Sequence, residues 1–207
     1  MAVLLAACVL LVSGSPLAEA EPADAARSAV QPAPHPDVPP LPPGSAERPP
    51  SPEPEGFRID GFRDPVPAKL TGATLLTSAE AEALWLTRSA VFIDVYPRAP
   101  KPPNLPATTL WREPTHHSIE NSVWLPNTGF GVLAAGVEDY FKAHLQRLSG
   151  GDKAKPLVFY CLRNCWMSWN AAKRAMGYGY SAVHWYPDGT DGWQEIGQLV
   201  VETKPEP

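Results

Sequence analysis

The chain has 207 residues, a formal net charge of −5 and 26 prolines. An acidic balance with no basic stripe excludes a nucleic-acid-binding surface of the electrostatic kind. The length suits one folded domain carried behind a proline-rich stretch too poor in large apolar side chains to build a core.

Taken in chain order, the first feature is the apolar run Ala2–Val12. It is too short to serve as a permanent transmembrane helix. Ala18-Glu19-Ala20 supplies a small-x-small cleavage pattern, so residues 1–20 are expected to be a signal peptide that exports the protein. Leu5-Ala6-Ala7-Cys8 also has the form of a lipoprotein box, which makes a lipid anchor at Cys8 the alternative. Cleavage after Ala20 leaves Cys161 and Cys165 as the cysteines of the mature chain, either as free thiols or as a disulfide in an oxidising compartment. Residues 21–56 read as a disordered Pro-rich linker, 57–201 as the domain and 202–207 as a flexible tail.

Within the domain, Thr77-x-x-Glu80 is a capping box that opens a helix to about Thr87, with Ala81, Leu84 and Trp85 on one face. Ala90–Val95 is a near-continuous apolar run, the pattern of a buried parallel strand. Tyr96–Pro114 is irregular, and Ser122–Leu125 is a short strand closed by Pro126. Val137, Tyr140, Phe141, Leu145 and Leu148 recur at helical spacing before the stop at Gly150-Gly151. A strand over Leu157–Tyr160, a helix over Trp166–Met176 ended by Gly177, and a strand over Ala182–Tyr186 precede the turn-rich Pro187–Gly192. Helices alternating with strands define an α/β domain with a mostly parallel central sheet flanked by helices.

The chemistry-bearing segment is Phe159–Arg174, where a strand ends at Cys161 and a helix begins after Cys165. A thiol there faces unpaired backbone N–H groups and the positive end of the helix dipole, and both favour the reactive thiolate. Cys161 reads as a nucleophile carrying a persulfide or as half of a disulfide, with a buried structural cysteine as the bland alternative. Cys165 reads equally as a resolving thiol or a packing residue. Arg163 is suited to an anionic substrate or to solvent. Trp166, Trp169, Trp185 and Trp193 suit the core or an aromatic pocket, with Trp166 expected to be partly exposed. Asp188 and Asp191 orient loop groups or simply make a turn. His116, His117 and His184 lack metal-ligand spacing, and no metal site is expected.

Phe92-Ile93-Asp94-Val95, His117–Val123, Val158-Phe159-Tyr160-Cys161, Ala171-Ala172, Gly179–Val183 and Trp193 together resemble, in order and spacing, a rhodanese-like domain. Cys165–Arg174 and Trp185–Trp193 are further similar to the PQQ-dependent catabolism-associated CXXCW motif proteins. These resemblances imply a periplasmic protein with a rhodanese-like fold. Cys161 and Cys165 would be its catalytic pair, performing sulfur transfer or thiol–disulfide chemistry, and Arg163, Asn164 and Trp166 would contact substrate. The implied partners are periplasmic components of PQQ-dependent alcohol oxidation. PQQ enters through that context and not as a cofactor of this chain. Three residues lie between the cysteines, so C-x-x-C reasoning does not transfer. The loop also lacks the glycine and late basic residue usual in sulfurtransferases, which keeps a non-catalytic binding module as the rival reading.

Overall fold

The computed structural model describes residues 50–106 and 108–207. The expected signal peptide, Cys8 and most of the expected linker lie outside these residues. Among the described residues no helix is long and apolar enough to cross a membrane.

Thr74–Leu75 (β1), Val91–Asp94 (β2), Val123–Trp124 (β4), Leu157–Tyr160 (β5) and Val183–Tyr186 (β6) form a sheet in the order β1-β6-β5-β2-β4. Every pairing in it is parallel. Placing β5 at the centre explains its unbroken Leu-Val-Phe-Tyr run, because a strand covered on both faces has no solvent side to mark with polar residues.

Side-chain alternation sorts the core into two layers. Ile93, Phe159 and Trp185 point to one face, where Val137–Ser149 (α2) and Trp166–Gly177 (α3) contribute Phe141, Leu145 and Trp169. Phe92, Val158, Tyr160 and Tyr186 point to the other, against Ser78–Leu86 (α1) and Gly189–Glu195 (α4), whose Ala81 and Trp193 are buried. The capping box at Thr77 and Glu80 forms in full. Gly150, at φ 64°, ends α2 in the left-handed conformation.

Several expectations are corrected. Of the expected Pro187–Gly192 turn, Pro187 and Asp188 do turn, while Gly189–Gly192 is the start of α4. Trp193 draws this short helix onto the sheet, a packing effect that local Asp and Gly composition does not reveal. His116–Ile119 (β3), to which the sequence assigns no element, pairs antiparallel with Val200–Thr203 (β7). The expected flexible tail 202–207 is therefore tied down. Thr203 belongs to β7, the Glu206 N–H donates to the Trp124 carbonyl at 3.0 Å, and the Glu206 carboxylate pairs with Arg147. Gly177 is the last residue of α3 and not its stop; the left-handed turn comes at Gly179, φ 89°.

The linker end is also ordered by contact. Residues 50–70 form an arm across the outer side of α3. Lys173 Nζ donates to the Pro54 carbonyl at 2.9 Å and to those of Glu55 and Gly56, and Asn170 bonds both the N–H and the C=O of Arg58, each at 2.9 Å. Trp169 Nε1 donates to the Lys69 carbonyl. With the sheet on one side and the arm on the other, α3 is buried nearly all round, including Asn170 and Arg174.

Candidate active site

The loop from Cys161 to Cys165 leaves the C-terminal end of β5, where open α/β sheets present ligand sites. Three contacts fix its course. The Thr190 N–H donates to the Cys161 carbonyl at 3.0 Å, and Leu162 bridges Gly189 in antiparallel fashion. The Arg163 N–H donates to Asp191 Oδ2 at 2.8 Å. Gly189 has to be glycine: a Cβ there would lie 2.1 Å from the Cys161 carbonyl oxygen, and φ is +52°. Asn164 takes a left-handed φ of 53°, a conformation asparagine tolerates better than most residues, and so turns the chain back toward α3.

This turn brings the cysteines together as a disulfide, with Cα atoms 6.1 Å apart, inside the usual bridging range. Both are buried, Cys161 at 1% and Cys165 at 3% exposure. Cys165 is the N-cap residue of α3 and its side chain makes no cap hydrogen bond. The Cys165 carbonyl accepts from Ser168 Oγ, which in turn accepts from Trp185 Nε1, each at 3.0 Å. The disulfide loop is thus anchored by α3, β6 and α4 together.

Two expected substrate contacts are placed differently from the sequence reading. Arg163 does not present a free charge: Nε donates to Asp188 at 3.1 Å, and both terminal nitrogens donate to the Glu195 carboxylate. The Glu195 and Asp188 carboxylates raise the Arg163 pKa, and the Arg163 guanidinium in turn holds Glu195 below its usual carboxylate value. Trp166 is 1% exposed, not partly open. Its ring lies beneath the Arg58 guanidinium, 5.1 Å from the carbon to the ring centroid, and meets Trp169 edge-on. It supplies a wall next to Cys165 and no open platform. The backbone N–H of Trp166 is taken by the Phe62 carbonyl at 3.0 Å.

A second polar cluster lies at the ends of β2 and β5. Asp94 Oδ2 accepts from Ser118 Oγ and contacts His116 Nε2 at 2.8 Å. The Tyr160 hydroxyl donates to Ser122 Oγ at 2.6 Å and accepts the Ile119 N–H. Burial and the nearby Asp94 push the Tyr160 phenol well above its ordinary value. His184 lies away from it on β6, with its pKa lowered by burial. Among the described residues no three His, Cys, Asp or Glu side chains gather as a metal site.

Arg63, of the arm, escaped the sequence reading. It belongs to a proline-rich stretch and no motif marks it. Glu195 was equally invisible, because its meeting with Arg163 depends on α4 forming.

An all-parallel central sheet with helices on both faces, and a disulfide-bearing loop between the central strand and its helix, define an α/β domain of the sulfur-transfer type of fold. The chain belongs to the rhodanese-like domain family, whose profile matches residues 88–196. Solved structures similar to it include a thiosulfate sulfurtransferase from Pseudomonas aeruginosa, at 18% identity and TM-score 0.44 over 65% of this chain. The chain spans only 21% of that protein's length. Another is the polysulfide-sulfur transferase homodimer of Wolinella succinogenes, at 19% identity and TM-score 0.41, covering 65% of this chain and 82% of that one. An uncharacterized protein from Saccharomyces cerevisiae matches at 20% identity and TM-score 0.37, covering 60% and 93%. No curated protein matches the chain.

Proposed function

We propose that Cys161 and Cys165 form a reactive thiol–disulfide pair on a rhodanese-like scaffold, with Cys161 able to carry sulfur once the bond is reduced. The observation that carries this reading is the disulfide itself, held in the loop between β5 and the N-terminus of α3. An incoming thiolate attacks one Sγ, the S–S bond breaks, and the other cysteine leaves as thiolate. Departure from Cys165 is favoured by the positive end of the α3 dipole. A second thiol displaces the first and completes a two-electron reduction. The freed Cys161 thiolate then attacks the outer sulfur of a donor, forming a persulfide as the donor's S–S bond breaks. Attack by Cys165 on the inner sulfur expels hydrosulfide and restores the disulfide.

The setting we propose is the periplasm, reached through the leader in residues 1–20, in support of PQQ-dependent alcohol oxidation. Its support is the similarity of Cys165–Arg174 and Trp185–Trp193 to the CXXCW motif proteins. Fractionation of cells with and without residues 1–20 tests the compartment; retention in the cytoplasm with the leader present overturns it.

Intact mass tests the chemistry. Protein isolated without reductant should be two hydrogens lighter than the reduced chain. After reduction and exposure to a sulfane-sulfur donor it should gain one sulfur atom, and Cys161→Ser should abolish that gain. Persistent inertness of both thiols overturns the reading. The burial of Cys161, Cys165 and Trp166, with Arg163 tied to Glu195, favours a second reading as a non-catalytic binding module. That module predicts unchanged partner binding in Cys161→Ser.

A further inference from the structure

The arm lies outside the family-matched residues 88–196 and passes the start of α3. The Trp166 N–H bond to the Phe62 carbonyl, 3.0 Å, pins the arm to the first residue of α3. The next residue of the arm is Arg63. Its Nη1 is buried and has no hydrogen-bond partner among the described residues, and the same holds for Trp166 Nε1.

The electrostatic neighbours of Arg63 locate it. They are Asp191 and Tyr96. Asp191 follows Thr190, whose N–H holds the Cys161 carbonyl at 3.0 Å; Tyr96 follows Val95, whose N–H holds the Tyr160 carbonyl at 3.1 Å. The two neighbours flank the end of β5, from the α4 side and from the β2 side, and the Phe62–Trp166 bond sets the backbone of Arg63 beside the start of α3, which Cys165 caps.

The other cations nearby are already engaged: Arg163 is held by Asp188 and Glu195, and Arg58 pairs with Asp64 at 2.6 Å. Asp191, whose Oδ2 accepts the Arg163 N–H, is the carboxylate that faces Arg63. A largely buried guanidinium with an unmet donor is unfavourable by itself, and an anion accepting from it relieves that cost. The planar fork of an arginine suits a carboxylate or sulfonate.

Resting on the thiol–disulfide reading above, we propose that Arg63 is an anion subsite that selects acidic small thiols as the partners of the Cys161–Cys165 disulfide. The thiol sulfur meets the disulfide while its carboxylate or sulfonate accepts hydrogen bonds from Arg63.

The test compares reduction of the oxidised full chain by mercaptoethanesulfonate and by neutral mercaptoethanol, each corrected for thiolate fraction. In parallel, unreactive ethanesulfonate is titrated against the ¹⁵N-labelled protein. The expected result is a preference of roughly tenfold for the anionic thiol, about the worth of one hydrogen bond to a charged group. Arg63→Gln should remove this preference, Arg63→Lys should keep part of it, and ethanesulfonate should shift the Arg63 Nε–H signal. An unchanged preference in Arg63→Gln, with the disulfide still exchanging, overturns the subsite and leaves the thiol–disulfide reading standing. Failure of both thiols to reduce the folded protein, even with ethanesulfonate bound, overturns acidic thiols as partners together with that reading. Absence of an ethanesulfonate shift overturns the subsite on its own.

Discussion

Asp94 at the end of β2 and Arg63 beside the cysteine loop are ionisable groups packed at the same edge of the sheet, yet their surroundings differ in kind. Around Asp94, the hydroxyls of Ser118, Tyr160 and Ser122 and the ring of His116 form a continuous chain of bonds joining β2, β3 and β5. At Arg63, a guanidinium nitrogen is buried with no protein acceptor among the described residues. A cluster whose carboxylate and hydroxyls bond one another stabilises the fold. A cluster with donors left over weakens the fold slightly and is ready to meet an acceptor from outside.

The largest effect expected is on the scaffold that separates the two clusters. Gly189→Ala drives a Cβ against the Cys161 carbonyl, and should cost about 3 kcal/mol in urea unfolding, because backbone on both sides has to shift. Parent-like stability would mean that the loop and α4 are not locked together.

Tyr160→Phe comes next, at about 1–3 kcal/mol, since it leaves buried partners at Ser122 and Ile119 unbonded. It also carries a pH signature. The folded-state pKa of Tyr160 is raised, so its contribution is fully present below the unfolded value of 10.0 and is lost as pH rises through the folded value. Unfolding followed above pH 10 should therefore show less alkaline loss in Tyr160→Phe than in the parent.

The smallest change should have the opposite sign. Arg63→Met replaces an unmet buried donor with apolar surface, and should raise stability by about 1 kcal/mol. A loss of similar size would show that Arg63 is satisfied within the protein and would remove the contrast between the two clusters.

Much of the scaffold is legible in the sequence because hydrophobic runs and helix caps speak locally. Val91–Ile93 and Leu157–Tyr160 are apolar without interruption, and Thr77 with Glu80 announces the start of α1. The β3–β7 pair is not legible: His116-His117-Ser118 looks polar, and its burial depends on Asp94 reaching it from another strand. The arm escapes for a related reason. Its hold on α3 runs through backbone carbonyls and the backbone of Arg58, groups that every sequence possesses. At the site, the strand-to-helix position of Cys161 and Cys165 can be read directly. The commitment of Arg163 cannot, because Asp188 and Glu195 face it only once α4 has formed.

The burial of Trp166 immediately after Cys165 has an optical consequence. Disulfides quench indole emission at short range, and the Trp166 ring, shielded from water, should emit toward the blue. Among the chain's seven tryptophans, Trp166 follows directly on a cysteine of the bridge, so opening and closing of that bridge should be visible as a rise and fall of fluorescence without any added label.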